Sequence, residues 1–251
     1  MPADFRSRLL QHEPLLGALL TLPSPEVAEI LADAGFDWLF IDMEHGLLDL
    51  TIVQRIGQAV AGRCACVVRV PTHDAVWIKK VLDIGVAGLI VPQVNTPAQA
   101  AEIVRHAKYP PVGVRSVGLA RAQGYGAAFD SYVRTANEAT AIIVQVEHIE
   151  SVRNVERIIS VAGVDCAFVG PFDLAASMNK MGQINDPEVQ ATIARVRQAC
   201  AAKNTPAGIF APTVERGQAA FADGFTLVAV GMDVTILGGA ARKMVEALKS
   251  A

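Results

Sequence analysis

Short, nearly continuous apolar runs recur along the chain, separated by longer stretches in which apolar residues return every three or four positions. The runs Leu15–Leu22, Trp38–Met43, Cys64–Val70, Gly88–Val94, Ile142–Val146, Asp165–Val169, Ala207–Phe210 and Leu227–Val230 read as strands. They lack apolar/polar alternation, the pattern of strands covered on both faces, so they predict a parallel, enclosed sheet. The intervening segments carry helix punctuation. Ser24-Pro25-Glu26, Thr96-Pro97 and Asp186-Pro187-Glu188 open helices, while Gly35, Gly85, Gly163 and Gly224 close them. Eight strand–helix units without a linker predict one domain over residues 1–251, an α/β fold of the single (β/α)₈ TIM-barrel type. An open doubly wound sheet is the alternative; it usually places a glycine-rich loop after the first strand, where this chain has Thr21-Leu22-Pro23-Ser24. One connection is long, from Tyr109 to Ala141, which suggests a functional or interface segment.

Composition narrows the classes. With 251 residues, 52% of them hydrophobic, the chain can bury a large core and is not disordered. A formal charge of −3 offers no footprint for nucleic acid or an anionic membrane. No run is long and apolar enough to span a bilayer and the N-terminal region is polar, so a cytoplasmic protein is expected. Cys64, Cys66, Cys166 and Cys200 form no CxxC pair and are expected as buried structural thiols.

In such a barrel the chemistry collects at the carboxyl ends of the strands. There the sequence places Asp42-Met43-Glu44-His45, Arg69, Gln93, Gln145-Val146-Glu147-His148 and, after Gly170-Pro171-Phe172, Asp173. Glu147 and Asp173 form a carboxylate pair suited to a hard divalent cation, or else two exposed loop acids. Arg69 needs an anionic partner: an enolate oxygen, or structurally Asp42 or Glu44. His45 sits where a general acid or base reaches substrate, whereas His148 reads as structural. Asp83 closes a helix whose dipole disfavours it, and exposure beside Lys79 and Lys80 is the simple explanation. No strand run contains a lysine, which argues against imine catalysis.

The segment Phe36-Asp37-Trp38-Leu39-Phe40-Ile41-Asp42-Met43-Glu44-His45-Gly46 resembles the HpcH/HpaI aldolase family of class II pyruvate aldolases. Val68-Arg69-Val70-Pro71, Val81-Leu82-Asp83-Ile84-Gly85, Tyr109-Pro110-Pro111-Val112-Gly113-Val114-Arg115-Ser116, Gln145-Val146-Glu147 and Val169-Gly170-Pro171-Phe172-Asp173 are similar to it in the same order. The resemblance implies reversible cleavage of a 4-hydroxy-2-oxo acid to pyruvate and an aldehyde. It implies Glu147 and Asp173 as ligands of Mg²⁺ or Mn²⁺, with Co²⁺ or Zn²⁺ as alternatives. It further implies Arg69 at the keto or enolate oxygen and His45 with Asp83 as an acid–base pair. Gln145 is implied as a support, with Gly170, Pro171 and Phe172 around the 2-oxo acid carboxylate. Phe210, where several relatives carry a smaller residue, bears on the aldehyde, and Arg121 is the candidate for a second cation beside it. The resemblance also implies a hexamer in which the last helix, here Ala240–Lys249, is exchanged between subunits. An acyl-CoA lyase of the citrate lyase β or malyl-CoA lyase type and a non-catalytic metabolite-binding barrel are the competing readings.

Overall fold

The apolar runs become strands β1 (Leu15–Leu20), β2 (Trp38–Asp42), β3 (Ala65–Arg69), β4 (Gly88–Val91), β5 (Ala141–Val146), β6 (Cys166–Val169), β7 (Ala207–Ala211) and β8 (Leu227–Met232). They close in sequence order into a parallel barrel, with β8 pairing back to β1, so the expected (β/α)₈ architecture is the fold. The computed structural model describes residues 5–249. Two strands are shorter than their apolar runs for identifiable reasons. β1 ends before Thr21-Leu22 because those two amides donate to the Asp233 carboxylate, at 2.9 and 2.7 Å, instead of to a neighbouring strand. β4 stops before Pro92, which has no N–H to give, and Gln93 then turns into the left-handed region at φ 54°.

Eleven helices accompany the described strands: α1 (Phe5–Leu10), α2 (Pro25–Asp33), α3 (Leu50–Ala59), α4 (Ala75–Asp83), α5 (Pro97–Ala107), α6 (Phe129–Ala139), α7 (Ile149–Ile159), α8 (Pro171–Ser177), α9 (Pro187–Ala202), α10 (Val214–Asp223) and α11 (Asp233–Lys249). The sequence caps are real. The Ser24 hydroxyl accepts from Val27 N at 3.2 Å, Thr96 and Gln99 form a reciprocal capping box, and Asp186 accepts from Glu188 N at 2.8 Å.

Strand side chains divide between two cores. One fills the space between sheet and helices; the other fills the barrel and is dominated by Trp38, Phe40 and Phe168. Phe40 meets Phe168 edge-on at 5.5 Å and stacks near Trp38 at 6.0 Å. Gly17 makes room for this layer: a Cβ there would lie 2.4 Å from the Trp38 indole. Large rings opposite glycine are how a small barrel fills its interior without overpacking.

Helix α1, which the polar N-terminal region concealed, closes the amino end of the barrel. Phe5 and Leu9 pack into the interior cluster, and Arg6 donates to both Asp165 oxygens at 3.0 and 2.7 Å. The Tyr109–Ala141 connection is partly helical, containing α6 and a 3₁₀ segment at Arg121–Gly126. The last helix starts at Asp233, seven residues before the expected Ala240, and of its residues only Asp233 is buried. Among the described residues no helix is long and apolar enough to cross a membrane, and all four cysteines are buried and unpaired.

Candidate active site

Arg69 ends β3 directly above the aromatic layer, its guanidinium carbon 5.2 Å from the Phe40 ring centroid. Its Nε donates to Asp42 Oδ1 at 2.9 Å and its Nη2 to Asp42 Oδ2 at 2.7 Å, a two-point fork. Nη1 lies 3.1 Å from Glu44 Oε2 and donates to Gln145 Oε1 at 3.5 Å. Both structural partners weighed from the sequence are therefore engaged, and the remaining Nη1 edge turns toward Glu44 and Gln145. Asp42 also shapes the turn that follows, accepting from the amides of Glu44 at 3.0 Å and His45 at 3.3 Å. That turn leaves the His45 ring exposed, with Nε2 3.9 Å from Glu44 Oε2.

Glu147 is buried at the end of β5. Its Oε1 accepts from the Gln93 amide at 2.7 Å, and its Oε2 accepts from Gln145 Nε2. The left-handed turn at Gln93 is the backbone conformation behind that contact, a strained state for a residue with a side chain and characteristic of functional sites. Gly170, the residue between β6 and α8, supplies room: a Cβ there would stand 3.0 Å from Gln145 Nε2, Glu147 Cβ and Glu147 Oε2. Pro171 then opens α8 and sets Phe172 and Asp173 in its first turn. Burial, reinforced by Glu44 and Asp173 and opposed by the Gln93 amide and Arg69, pushes the Glu147 carboxyl up to about 7. Glu44 is likewise raised by burial, against Arg69.

Of these groups, Glu44, His45, Gln93, Glu147 and Asp173 line one cleft of about 270 Å³, together with Asn95, His148 and Ser177. Three carboxylates line it: Glu44, whose Oε2 is ion-paired to Arg69 Nη1 at 3.1 Å, and Glu147 and Asp173, for which no ion pair is found among the described residues. Carboxylate oxygens of this kind fit a hard divalent cation, with Glu147 and Asp173 as the side chains free of Arg69. Among the described residues no group of three or more His, Cys, Asp or Glu forms a ready metal cage. Phe172 and Phe210 face one another across 6.3 Å between ring centroids, and Phe210 with Pro171 also lines a second, smaller groove toward α9 and α10.

Two expected residues lie elsewhere in the chain. Asp83 closes α4, which runs back toward the amino ends of the strands, whereas His45 follows the carboxyl end of β2. The structure does not bring them together within one chain. What compensates Asp83 is not Lys79 or Lys80 but chiefly Arg115, whose Nη2 donates to Oδ1 at 2.7 Å, with the carboxylate remaining partly exposed. Arg115 is buried and lies 4.6 Å over the Tyr109 ring. Arg121, the candidate second cation, is also committed at this end: it donates to the carbonyls of Ile84 and Gly57 at 2.8 and 3.1 Å. His148 caps α7, accepting from Glu150 N at 3.1 Å, as a structural histidine does, yet it also lines the cleft. Asn95 also lines the cleft, and nothing in its sequence spacing distinguishes it from an ordinary loop amide.

Fold and cleft together define a (β/α)₈-barrel protein with a carboxylate-lined cleft at the carboxyl ends of its strands, where barrels of this kind place their chemistry. The chain belongs to the HpcH/HpaI aldolase/citrate lyase family, whose model matches residues 16–239. It is 41% identical over 253 residues to a hydroxypyruvate/pyruvate aldolase of Paraburkholderia phytofirmans, covering 98% of this chain and 97% of that one. It is 36% identical over 249 residues to a 5-keto-4-deoxy-D-glucarate aldolase of Klebsiella pneumoniae, covering 99% and 97%. Among solved structures, an HpcH/HpaI aldolase/citrate lyase family protein from Burkholderia cenocepacia J2315 superposes with a TM-score of 0.94 at 40% identity, covering 97% and 98%.

Proposed function

We propose that this chain is a class II, divalent-cation-dependent aldolase that reversibly cleaves 4-hydroxy-2-oxo acids to pyruvate, or a related 2-oxo acid, and an aldehyde. The observation that carries the reading is a cleft lined by Glu44, Glu147 and Asp173, with the forked Arg69 held against Glu44 at 3.1 Å. The names of the two curated relatives support it. Mg²⁺ or Mn²⁺ is the expected cation, with Co²⁺ and Zn²⁺ as alternatives; held by Glu147 and Asp173, it supplies Lewis acidity at the 2-oxo group. Arg69 Nη1 faces the oxygen on which enolate charge develops, in a site where Phe40 below excludes water. Gln145 holds both Arg69 and Glu147 in register. The amides of Phe172 and Asp173, in the first turn of α8 after Gly170-Pro171, receive the carboxylate of the 2-oxo acid.

His45 is the group placed to move the proton of the C4 hydroxyl. Its pairing with Asp83 requires a second copy of the chain, since the two stand at opposite ends of one barrel. A homo-oligomer, with the hexamer favoured, fits this need. The exposed Ile236, Leu237, Met244, Val245 and Leu248 on α11 are the surface that an exchanged last helix would bury. The acyl-CoA lyase and non-catalytic alternatives draw support from no feature of this cleft. The test follows the methyl protons of pyruvate by NMR in D₂O with chelator-treated protein, before and after Mn²⁺. Cation-dependent exchange of the methyl signal is expected; its absence from folded protein with every cation tried would sink the aldolase reading.

A further inference from the structure

One oxygen of Glu147 is fixed by the main chain: the Gln93 N–H donates to Oε1 at 2.7 Å. Gln93 does so from a left-handed backbone, φ 54°, which a residue with a side chain keeps only where the chain is held on both sides of it. Most of what holds this turn lies outside the cleft. Before it, the Pro92 ring restricts the chain. After it, Val94 is fully buried in the core between sheet and helices, and Thr96 starts α5 with its capping box.

Asn95 stands between these anchors with both of its main-chain groups taken by side chains of different helices. Its N–H donates to Gln99 Oε1 of α5 at 2.8 Å, a local bond that belongs to the start of that helix. Its carbonyl accepts from Asn154 Nδ2 of α7 at 2.9 Å, across 59 residues of sequence. Helix α7 follows closely on β5, with Glu147 and His148 between them. Asn154 therefore ties the Gln93 turn to the same strand–helix unit that presents the carboxylate. It is half-buried, and it is not among the residues lining the cleft.

We infer that Asn154 is a positioning residue for Glu147: by gripping the Asn95 carbonyl it keeps Gln93 in its left-handed turn, and so keeps the Gln93 amide on Oε1 and the carboxylate aimed at the cation. The inference rests on the reading above of Glu147 as a cation ligand. With one hydrogen bond on each oxygen, from Gln93 and from Gln145, the carboxylate is oriented while both oxygens keep a lone pair for a cation. Without the Asn154 bond, Gln93 is free to relax to the right-handed or extended region, which swings its N–H off Oε1 and lets the carboxylate turn.

The test titrates Mn²⁺ calorimetrically into chelator-treated protein at one fixed pH and follows amide hydrogen exchange of residues 93–96 in the same samples. Asn154→Ala removes the donor at a half-buried helix position where alanine is the best helix former, so the variant folds. Its Mn²⁺ affinity is expected to fall about tenfold, the low end of what disturbed support around a metal ligand costs, with faster exchange over 93–96 and unchanged exchange over β5. Asn154→Gln, which keeps the amide donor, is expected to recover both. Unchanged affinity in Asn154→Ala overturns the inference even where the 93–96 amides exchange faster, because faster exchange alone is what a merely structural bond would give. A loss of affinity without faster exchange overturns it too, since the effect would then not pass through the turn. The two levels stay separate: if the native protein binds no Mn²⁺, the cation reading fails and the inference with it, whereas native binding that Asn154→Ala leaves intact defeats the positioning role alone.

Discussion

Arg69 and Asp42 are joined by two parallel hydrogen bonds, 2.9 and 2.7 Å long, across adjacent parallel strands in which the two residues are direct register partners. The pairing makes Arg69 a fixed electrostatic element. It also makes Arg69→Ala a poor probe, because that change strands the buried Asp42 carboxylate and costs several kcal/mol of stability. Arg69→Lys keeps a charge but cannot span both oxygens. We expect cation-dependent pyruvate exchange to fall on the order of 100-fold in that variant, the usual cost of losing one oxyanion donor. A loss under threefold would remove the fork from the mechanism.

Glu147 links pH to cation binding. Its carboxyl titrates at about 7 in the folded protein against an ordinary 4.5, so between those values the native state holds a proton that the unfolded chain has released. Cation-free protein therefore loses this contribution to stability as pH rises from 4.5 to 7. A cation has the opposite preference, since it must displace that proton. Calorimetric titration with Mn²⁺ is expected to show affinity rising about tenfold per pH unit below 7 and levelling by about pH 8. An affinity independent of pH across this range would exclude Glu147 as a ligand.

Gly170→Ala tests how closely the turn between β6 and α8 must approach the site. The added methyl would meet three atoms of Gln145 and Glu147 at 3.0 Å, closer than ordinary contact, and the side chain with most room to yield is Glu147. Mn²⁺ affinity should drop about tenfold, as it does when support around a metal ligand is disturbed. Unchanged affinity would show that Glu147 can shift without consequence.

Gly17→Ala is a stability test of the barrel interior. Its methyl would overlap the Trp38 indole, whose Nε1 is tied to the Leu15 carbonyl at 3.2 Å and cannot swing aside freely. Overpacking of this kind costs about 1 to 3 kcal/mol. For a chain of this size that lowers the melting temperature by roughly 2 to 4 °C per kcal/mol. Thermal denaturation at neutral pH measures it, and an unchanged melting temperature would mean the aromatic layer is looser than its geometry.

The α11 surface predicts an assembly effect. Leu237→Asp with Met244→Asp places charge on two exposed apolar positions of a helix buried only at Asp233. Light scattering after size exclusion should show a smaller species than the unaltered protein. Cleavage activity should fall with it, if His45 draws on Asp83 of a second copy. A variant that keeps both its mass and its turnover would refute the exchange of this helix.

The barrel was legible because its strands are buried on both faces and so announce themselves without competing polarity, and because Pro and Gly mark the helix ends. The site was legible where a polar residue terminates such a run, as at Arg69, Glu147 and Asp173. It was opaque where geometry depends on the other end of a helix: nothing in the local sequence says that Asp83 lies across the barrel from His45 or that Arg115 folds back onto it. Backbone conformation was equally hidden. Gln93 reads as a strand-end side chain, yet its contribution is an amide turned by a left-handed φ toward Glu147. Helix α1 is not legible in the sequence because six residues with two buried positions are too few to establish a period.

Asp233 closes the ring by accepting from Thr21 and Leu22, more than 200 residues away in sequence. On a ribosome the first strand and its stopper helix are made early, but their last partners, β8 and this carboxylate, are made at the far end of synthesis. Until then β1 presents an unpaired edge and the aromatic interior has an open seam. Any nascent chain halted before Leu227 is therefore a cylinder missing its final stave, with the β1 edge that this stave covers still open.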